Sequence, residues 1–334
     1  MRVGVVGAGW AATEHSKTLA RLDGVVIAGV TDPDAERAAD LAGRFGANHY
    51  AAASAMIASE ALDAIVVASP PGAHRGAAVE AIEAGLAVFL EKPIARTLED
   101  AAAIVDAAEA AEAVCAVGYQ WRSIEALRPL RDALVLDEPR QLVSEGIGIT
   151  QARSWFLNTT LSGGLIAERG SHHIDLQRAI GGEVVTVQAT GSKVGFSTVG
   201  TPIGLAAETE TGVQLSLRFA SGAIGAVHVL WVPEGYPSRH RLTVFGSGSM
   251  YELELDPMFS LRRDGGEPLL PSREGEHPFA AGLIQFVEAA RGGDSAGVDC
   301  SPLEAARTLA VVVACEQALV SGETVHVDSL AGVT

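Results

Sequence analysis

Residues 1–12, with the sequence MRVGVVGAGWAA, carry a short apolar run that leads directly into a glycine-rich turn. The first glycine of the motif, Gly7, suits the tight turn, and Gly9 lets the backbone approach a pyrophosphate. The helix that follows would present free N–H groups and a positive dipole end to phosphates. The alternative is a glycine turn without a ligand. We predict a dinucleotide-binding turn formed by Gly7, Gly9, Trp10, Ala11 and Ala12.

The first third of the chain alternates short apolar runs with alanine-rich stretches of helical period. The apolar runs predict strands buried on both faces at Val3–Val6, Val25–Val30, Ala64–Ala68, Ala87–Leu90 and Val114–Val117. The stretches between them predict helices at Ala11–Leu22, Ala35–Phe45, Ala73–Ala84 and Leu98–Ala111, with Asp34, Thr97 and Gly85 as caps. This alternation predicts a Rossmann domain with a parallel sheet over residues 1–122.

The pattern changes after about residue 123 to longer strands separated by short polar turns. Extended segments are predicted at Gln141–Thr150, Val184–Thr190, Ala206–Glu210, Gln214–Ala220, Ala223–Trp231, Arg241–Phe245 and Met250–Leu255. Helices are predicted at Leu127–Leu136, Glu168–Ile180, Pro278–Arg291 and Pro302–Ser321. We expect residues 123–334 to form an α+β domain whose antiparallel sheet has one covered face. The last two helices could pack on either domain.

Composition and charge limit the partners of the protein. A formal net charge of −17 argues against nucleic acid and anionic membranes, because both require a basic face. No apolar run reaches the roughly 18 to 20 residues of a membrane span. The three cysteines, Cys115, Cys300 and Cys315, lack metal-ligand spacing and are typical of buried thiols in a reducing compartment. We therefore expect a cytoplasmic protein.

An acidic residue ends the second predicted strand. Asp32 lies 20 residues beyond Ala12, close to the spacing expected of the acid that accepts hydrogen bonds from the adenosine ribose. A carboxylate at this position repels a 2′-phosphate, so the sequence favours NAD over NADP. Two alternatives stay open: Asp32 only begins a turn, or Arg37, one helical turn further on, accommodates NADP.

Polar segments follow the fourth and fifth predicted strands. Ser69–His74 follows one, and Glu91-Lys92-Pro93 follows the other. In a doubly wound sheet these carboxyl ends face the ligand crevice. A lysine ammonium there can stabilise negative charge that develops on a substrate oxygen. The alternative is an ordinary surface lysine.

A second polar constellation lies in the helix predicted to start at Glu168. Glu168 and His172 are four residues apart and Asp175 is three further on, so on an α-helix all three share one face. Histidine suits a general base near neutral pH, and a neighbouring carboxylate can orient it. The alternatives are a solvated polar face or a metal site. We predict no metal, because no further ligand pair accompanies these residues.

Taken together these motifs resemble one family. GAGWAA at residues 7–12, Asp32, SPPGAH at 69–74, EKP at 91–93 and GYQWR at 118–122 occur in the order of the Gfo/Idh/MocA oxidoreductases, which include inositol dehydrogenase and glucose–fructose oxidoreductase. The resemblance implies a Rossmann domain followed by an α+β domain with an open-faced, mostly antiparallel sheet. It also implies hydride transfer between NAD(P) and a secondary hydroxyl of a sugar, cyclitol or related polyol. Homo-oligomers, dimers or tetramers, are implied as well.

The resemblance also implies roles for individual residues. Lys92 matches the catalytic lysine and His172 the catalytic histidine, while Glu168, the third catalytic candidate, stands where many members have aspartate. The peptide before Pro93 is expected to be cis, and His173 matches no role. Cofactor contacts are expected at Gly7, Gly9, Trp10, Ala11, Ala12, Asp32, Ser69, Pro70, His74, Glu91, Lys92 and Gln120. Substrate contacts are expected at Lys92, Arg122, Trp155, Glu168, Arg169, His172 and Asp175.

Two alternative functions stay open at this point. One is an NAD-dependent glycoside hydrolase of the same fold, which would act without added NAD because it recycles a tightly held cofactor. The other is a cofactor-sensing binding protein without catalysis. The presence of both Lys92 and His172 argues against the second alternative.

Overall fold

The computed structural model describes residues 1–149, 158–194, 209–256, 259–273 and 278–327. The chain divides into two compact units. Within the described ranges, the first unit contains residues 1–123 and 278–306, and the second contains the remainder. Across these ranges no helix combines the length and the apolar character needed to cross a membrane.

The α-helices of at least seven residues are numbered in chain order. They are α1 (Trp10–Leu19), α2 (Ala35–Phe45), α3 (Ala53–Ser59), α4 (His74–Glu83), α5 (Leu98–Ala110), α6 (Leu127–Leu134), α7 (Ser171–Gly181), α8 (Pro278–Gly292) and α9 (Pro302–Ser321). Shorter 3-10 helices lie at Pro71–Ala73, Gln120–Ser123 and Ser295–Gly297. A single α-helical turn occupies Thr159–Ser162, and a π-helix occupies Ile166–Gly170.

The first unit is built on a parallel sheet of six strands. The strands are β1 (Arg2–Val6), β2 (Val26–Thr31), β3 (Asn48–Tyr50), β4 (Ala64–Val67), β5 (Ala87–Leu90) and β6 (Cys115–Val117). Their order is β3-β2-β1-β4-β5-β6, and every pair is parallel. The strand order therefore reverses between β1 and β4, and ligands of doubly wound sheets bind at such a point.

The predicted Rossmann elements are confirmed, with boundaries that shift by at most a few residues. Asp34 caps α2 by accepting the backbone N–H groups of Glu36 and Arg37. Thr97 accepts the N–H of Asp100 at the start of α5, as a capping box requires. Gly85 follows α4 with a left-handed φ of 79°, a conformation that suits glycine.

One strand and one helix of the first unit were not predicted. The strand β3 lies at the edge of the sheet and has the sequence Asn-His-Tyr. It was not predicted because it contains no apolar run. The helix α3 is fully buried at only one residue, Met56. Met56 fills space that glycines leave in β1 and β2, since a Cβ at Gly4 or Gly29 would lie 2.8 Å from its side chain.

The core of the first unit includes a helix from the end of the chain. Leu283, Phe286 and Val287 of α8 are at most 1% exposed and pack with Val3 and Phe89 of the sheet. The sequence left two placements open for this helix, and the structure places it on the parallel sheet. The ring of Phe286 lies 5.6 Å from that of Phe89, a distance typical of favourable aromatic pairs.

The second unit contains a sheet of nine strands. They are β7 (Gln141–Ile149), β8 (Val184–Ser192), β9 (Gly212–Phe219), β10 (Ile224–Val232), β11 (Arg239–Phe245), β12 (Met250–Asp256), β13 (Phe259–Arg263), β14 (Pro268–Arg273) and β15 (Val325–His326). Their order is β14-β13-β12-β11-β7-β10-β9-β8-β15. All pairs are antiparallel except β7 with β10, so the sheet is mixed and mostly antiparallel, as predicted.

Among the described residues, one face of this sheet is buried and the other is exposed or half-buried. Residues of β9 alternate between buried and exposed along the whole strand. The helix α7 covers one face, where Gln177 donates hydrogen bonds to Ser144 Oγ and to the carbonyl oxygen of Ala226, at 2.9 and 2.8 Å. The alternation confirms the predicted single covered face.

The second unit departs from the predictions in one helix and in three strands that were not predicted, and one predicted strand lies mostly outside the described residues. The helix predicted at Glu168–Ile180 begins inside a π-helix, Ile166–Gly170, which covers its first three residues, and continues as α7. The strands β13, β14 and β15 were not predicted, since they are short and mostly polar or proline-containing. Most of the strand predicted at Ala206–Glu210 lies outside the described residues.

Candidate functional site

The glycine-rich turn sits where the strand order of the parallel sheet reverses. Gly7 follows β1 with a φ of 99°, and a Cβ there would lie 2.6 Å from the carbonyl oxygen of Ala68 after β4. No side chain fits such a position. The N–H of Gly7 donates to the carbonyl oxygen of Thr31 at 2.7 Å, which ties the turn to the end of β2.

The rest of the turn suits a pyrophosphate. A Cβ at Gly9 would meet no atom of the described residues within 4 Å, so open space lies over this backbone. Gly9 precedes α1, and no described side chain caps the first N–H groups of that helix. Ala12 is fully buried in the core, where a larger side chain would separate helix from strand. Trp10 is 48% exposed and Ala11 is half-buried beside the turn.

The carboxylate of Asp32 is held in place at the end of β2. Its Oδ2 atom accepts the N–H of Ala8 at 2.8 Å, so it contacts the glycine-rich turn directly. Its Oδ1 atom accepts the N–H of Asp34 and a guanidinium N–H of Arg37, both at 2.9 Å. Arg37 also pairs with Asp34. The guanidinium that could attract a 2′-phosphate is therefore shared between two carboxylates.

His74 joins the segments that follow β4 and β5. Its ring is fully buried, with Nε2 2.7 Å from the carbonyl oxygen of Ser69 and Nδ1 3.1 and 3.2 Å from those of Pro93 and Ile94. Burial lowers the pKa of His74 below its ordinary value. His74, a predicted cofactor contact, therefore holds the two segments together through its buried ring. Ser69 is half-buried and Pro70 is exposed.

Lys92 follows β5 at the same edge of the sheet as the glycine-rich turn. Its side chain is half-buried, and the peptide that joins it to Pro93 is cis, as expected. The preceding Glu91 is only 8% exposed, and its Oε2 atom accepts the backbone N–H of Lys92 at 3.1 Å. Glu91 thus contacts the lysine segment from within the core.

Sequence reasoning missed the residue that pairs with Glu91. His15 of α1 is 1% exposed, and its Nε2 atom lies 2.6 Å from Glu91 Oε1. Burial by itself raises the pKa of Glu91, but the hydrogen bond and charge of His15, followed by the charge of Lys92, hold it below its ordinary value. A signal existed: His15 is three residues from Ala12 and four from Leu19, on the buried stripe of α1.

The segment after β6 supplies two further predicted residues. Gln120 is half-buried in a 3-10 helix and lines a small cavity together with His15 and Glu91. Arg122 is 8% exposed and donates to Glu304 Oε2 at 3.2 Å. The structure thus brings Gln120 close to the Lys92 segment and engages Arg122 in a mostly buried ion pair.

In the second unit, the predicted catalytic helix changes its winding at Gly170. Glu168 and Arg169 belong to the π-helix, whereas His172 and Asp175 belong to α7. The prediction that Glu168, His172 and Asp175 share one face assumed α-helical spacing. That spacing applies to His172 and Asp175 but not to Glu168. Glu168 and His172 are both half-buried.

Asp175 lies deeper than the other candidates. It is 1% exposed, and its Oδ1 atom accepts the hydroxyl of Thr308 at 2.8 Å. Thr308 in turn accepts a guanidinium N–H of Arg178 at 2.9 Å. This network ties α7 to α9 within the second unit. Of the other predicted substrate residues, Trp155 lies outside the described residues.

A buried histidine pair adjoins these candidates. Arg169 donates from NH1 to His240 Nε2 at 3.0 Å, and His240 Nδ1 lies 3.3 Å from His173 Nε2. Burial and then the charge of Arg169 lower the pKa of His240 to about 3. Burial, followed by the charges of His240 and Arg169, also holds the pKa of His173 well below its ordinary value.

Glycines in β7 make room for this pair. A Cβ at Gly146 would lie 2.3 Å from His173 Nε2, and one at Gly148 would lie 2.1 Å from Arg169 NH1. Alternating glycines inside a strand indicate a close approach by another group. The sequence Gly-Ile-Gly in β7 was therefore an available signal for this contact. Among the residues that the structure describes, no group of three or more histidine, cysteine or acidic side chains is arranged to hold a metal.

Comparison with known proteins identifies the family. Residues 1–119 match the oxidoreductase family with an NAD-binding Rossmann fold, and residues 137–252 match the GFO/IDH/MocA C-terminal domain. The chain belongs to the Gfo/Idh/MocA oxidoreductase family. The predicted family, its NAD-binding Rossmann fold and the oxidoreductase class are therefore confirmed. NAD is the confirmed cofactor.

This Gfo/Idh/MocA oxidoreductase is similar to several named proteins. It is 39% identical to inositol 2-dehydrogenase 3 of Saccharopolyspora erythraea over 134 residues, which span 40% of each chain. It is 29% identical to the rhizopine catabolism protein MocA of Rhizobium meliloti over 319 residues, 92% of each chain. Its fold matches levoglucosan dehydrogenase in complex with NADH, with a TM-score of 0.82, 19% identity and coverage of 98% and 99% of the two chains.

Proposed function

We propose that this oxidoreductase transfers a hydride between NAD and a secondary hydroxyl of a sugar, cyclitol or related polyol. The observation that carries the proposal is Lys92, which follows β5 at the same sheet edge as the glycine-rich turn and is braced there by Glu91. The names of relatives support the substrate class, since they include inositol 2-dehydrogenase 3 and D-apiose dehydrogenase.

The residues of the first unit fit the dinucleotide. The open backbone at Gly9 and the N-terminus of α1 would hold the pyrophosphate, and Asp32 would accept hydrogen bonds from the adenosine ribose. Bound NAD would supply the hydride-accepting ring. The pairing of Arg37 with Asp32 and Asp34 supports the preference for NAD over NADP. Trp10, Ala11, Ser69, Pro70, His74 and Gln120 complete the proposed binding region.

Lys92 and His172 are proposed to handle the substrate hydroxyl. In oxidation, His172 accepts the hydroxyl proton as general base, and the ammonium of Lys92 stabilises the charge that develops on the oxygen. Glu168, half-buried beside Arg169, would hold a neighbouring hydroxyl by accepting its hydrogen bond. Arg122, Trp155, Arg169 and Asp175 complete the proposed substrate set. Asp175, buried against Thr308, would act by orienting α7.

The outward face of the second sheet is proposed to contact another copy of the chain. This face includes a concavity of about 500 Å³ lined by residues such as Glu145, Gln214, His228 and Arg239. Large apolar side chains, Ile149, Ile224, Leu230 and Phe245, are 39–47% exposed on its strands. Light scattering should give the mass of a dimer or tetramer, and a monomer at micromolar concentration would contradict the proposal. The buried free cysteines suit a cytoplasmic location.

The function can be tested with a panel of sugars, cyclitols and polyols, scored by NADH absorbance. With the best substrate, Lys92→Ala should lower kcat by about 10²- to 10⁴-fold while NAD still binds, as measured by calorimetry. Lys193→Ala is the matched control, because Lys193 is an exposed lysine of the second unit. Near-normal turnover by Lys92→Ala would overturn the role of Lys92. Aryl glycosides belong in the panel, since their cleavage without added NAD would instead identify a hydrolase.

A further inference from the structure

The ring of His15 is held on three sides inside the first unit. Its plane stacks on Phe279 of α8, with centroids 4.2 Å apart and an angle of 12°. Phe89 of β5 meets it edge-on, at 5.1 Å and 72°. Its Nε2 atom points at Glu91, 2.6 Å from Oε1. A ring confined in this way has one orientation, so its hydrogen bond has one direction.

Glu91 is the only hydrogen-bond partner of His15 within the described ranges, where the Nδ1 atom is buried and unpartnered. A carboxylate accepts hydrogen bonds, so Nε2 carries the proton that His15 donates. Glu91 lies close to the backbone of Gly118, where a Cβ would be 3.3 Å from its Oε1 atom. The other carboxylate oxygen accepts the backbone N–H of Lys92 at 3.1 Å.

We propose that His15 is a positioning residue for Lys92 and that it acts through the carboxylate of Glu91. The proposal rests on the function proposed above, because it takes Lys92 as the group that acts on the substrate. His15 belongs to the helix whose first turn is expected to hold the pyrophosphate. One hydrogen bond therefore connects the cofactor helix to the lysine segment.

Several other titratable groups face the His15–Glu91 pair. Lys92 comes from the end of β5, and its charge lowers the pKa of Glu91. His74 comes from α4, and the charge of Glu91 acts on its pKa. Tyr119, Asp299 and Cys300 line the same small cavity as His15. A test of the proposal therefore needs a readout at Lys92 itself.

The composition of the chain provides this readout, since its lysines are only Lys17, Lys92 and Lys193. Labelling with an amine-reactive ester at a fixed pH, followed by peptide mass spectrometry, gives the reaction rate of each lysine. His15→Phe keeps an aromatic ring but removes the donor. We expect Glu91 and the Lys92 segment that it contacts then to lose their fixed position, so half-buried Lys92 reacts faster while the rate of Lys193 does not change.

Three further variants separate positioning from general loss of stability. Glu91→Gln should raise the labelling rate of Lys92 as His15→Phe does, because an amide offers one acceptor oxygen where the carboxylate offers two, one to His15 and one to the Lys92 N–H. His15→Gln, whose amide N–H can reach the same carboxylate, should restore the wild-type rate. Leu19→Ala weakens the packing of the same helix without touching Glu91, so it should lower Tm and leave Lys92 labelling unchanged. Wild-type labelling of Lys92 in His15→Phe, or an increase of equal size in Leu19→Ala, would overturn the proposal.

Turnover provides the second arm of the test. With an active substrate, His15→Phe should lower kcat by about tenfold or more with little change in KM, because a displaced catalytic group loses rate rather than binding. His15→Gln should recover most of the loss. If Lys92→Ala keeps its turnover while labelling rises in His15→Phe, the proposed function fails and the structural link stands. If Lys92→Ala is inactive and labelling does not rise, the link fails and the function stands.

Discussion

Each unit of the molecule buries a histidine beside a candidate catalytic residue, but the two histidines have different partners. In the first unit His15 meets the carboxylate of Glu91, which directly precedes Lys92. In the second unit His173, which directly follows His172, meets another histidine, His240. Both rings are at most 1% exposed. Histidines that are buried to the same degree are thus found in two different electrostatic environments, one beside a carboxylate and one beside another histidine.

The partner decides whether the buried pair holds charge. Burial opposes the ionisation of Glu91, and the donor from His15 outweighs that opposition, so the pKa of Glu91 stays below its ordinary value. No carboxylate is among the causes that act on His173, whose pKa is lowered first by burial and then by His240 and Arg169. The first pair keeps an ionised carboxylate next to Lys92, and the second stays neutral.

The neutral pair also has a defined arrangement of protons. The guanidinium of Arg169 can only donate, so His240 accepts at Nε2. A neutral His240 then carries its proton on Nδ1 and donates it to His173 Nε2. The direction of this chain runs from Arg169 inward to α7. The two histidines support the segment that contains Glu168 and His172 without adding a charge of their own.

The largest difference between the regions should appear when each pair loses one member. His15→Phe leaves a mostly buried carboxylate without its donor, and breaking a buried charged pair costs about 3–5 kcal/mol. Urea unfolding at pH 7 measures this loss in the free energy of unfolding. A loss below about 1 kcal/mol would show that Glu91 is solvated or neutral. That result would contradict the proposed difference between the two histidine pairs.

The pair in the second unit should contribute less. His240→Leu removes one acceptor of Arg169 and the donor to His173. Arg169 keeps the carbonyl oxygen of Ile149 as an acceptor, so we expect a loss of about 1–3 kcal/mol, the cost of one unsatisfied buried polar group. Tyr251→Phe in β12 is a suitable reference, because it removes a buried hydroxyl that donates to Asp137 in the same unit. A loss for His240→Leu larger than that for His15→Phe would reverse the order of the two regions.

His240 and the Glu91 carboxylate should respond to acid in different pH windows. The pKa of His240 falls from 6.5 to about 3 on folding, so its stabilisation is complete above pH 6.5 and is lost as the pH falls towards 3. The slope is about 1.4 kcal/mol per pH unit for one such group. Glu91 has a lowered pKa, so its stabilisation is present above its ordinary value of 4.5 and is lost only below that.

Measurement of unfolding at pH 7, 5.5 and 4 in the wild type and His240→Leu separates these windows. The wild type should lose stability between pH 7 and pH 5.5, and His240→Leu should lose less over that interval. If both proteins lose the same amount, His240 is not held neutral in the folded state. His49→Gln serves as the control, because His49 is exposed on β3.

Local sequence patterns were sufficient to predict the elements whose own residues form a buried apolar run. The strands β1, β2, β4 and β5 are short apolar runs that lie inside a parallel sheet, so their periodicity is visible in the chain. The strand β3 and the short helix α3 could not be predicted in this way. Their residues are mostly polar or small, and they are held by neighbours rather than by an apolar pattern of their own.

The same distinction applies to the residues of the candidate site. The glycine-rich turn, Asp32 and Lys92 were predicted because each depends on a fixed spacing from a strand end. The π-helix was not predicted, since its winding differs from an α-helix by the choice of hydrogen-bond partner and not by residue type. His173 and His240 are 67 positions apart in the sequence. The only sequence signal of their contact is the pair of alternating glycines in β7.

By itself, the sequence determined the Rossmann turn, the order of strands and helices around it, the likeness to an oxidoreductase family and the identity of Lys92 and His172 as candidates. Only the tertiary structure decided what supports them. His15 and Glu91 are 76 residues apart, and no local pattern links them. They meet because α1 packs on the parallel sheet, where the ring of His15 contacts Phe89 of β5 and reaches Glu91 just after that strand. A buried carboxylate can remain ionised only where packing supplies a donor.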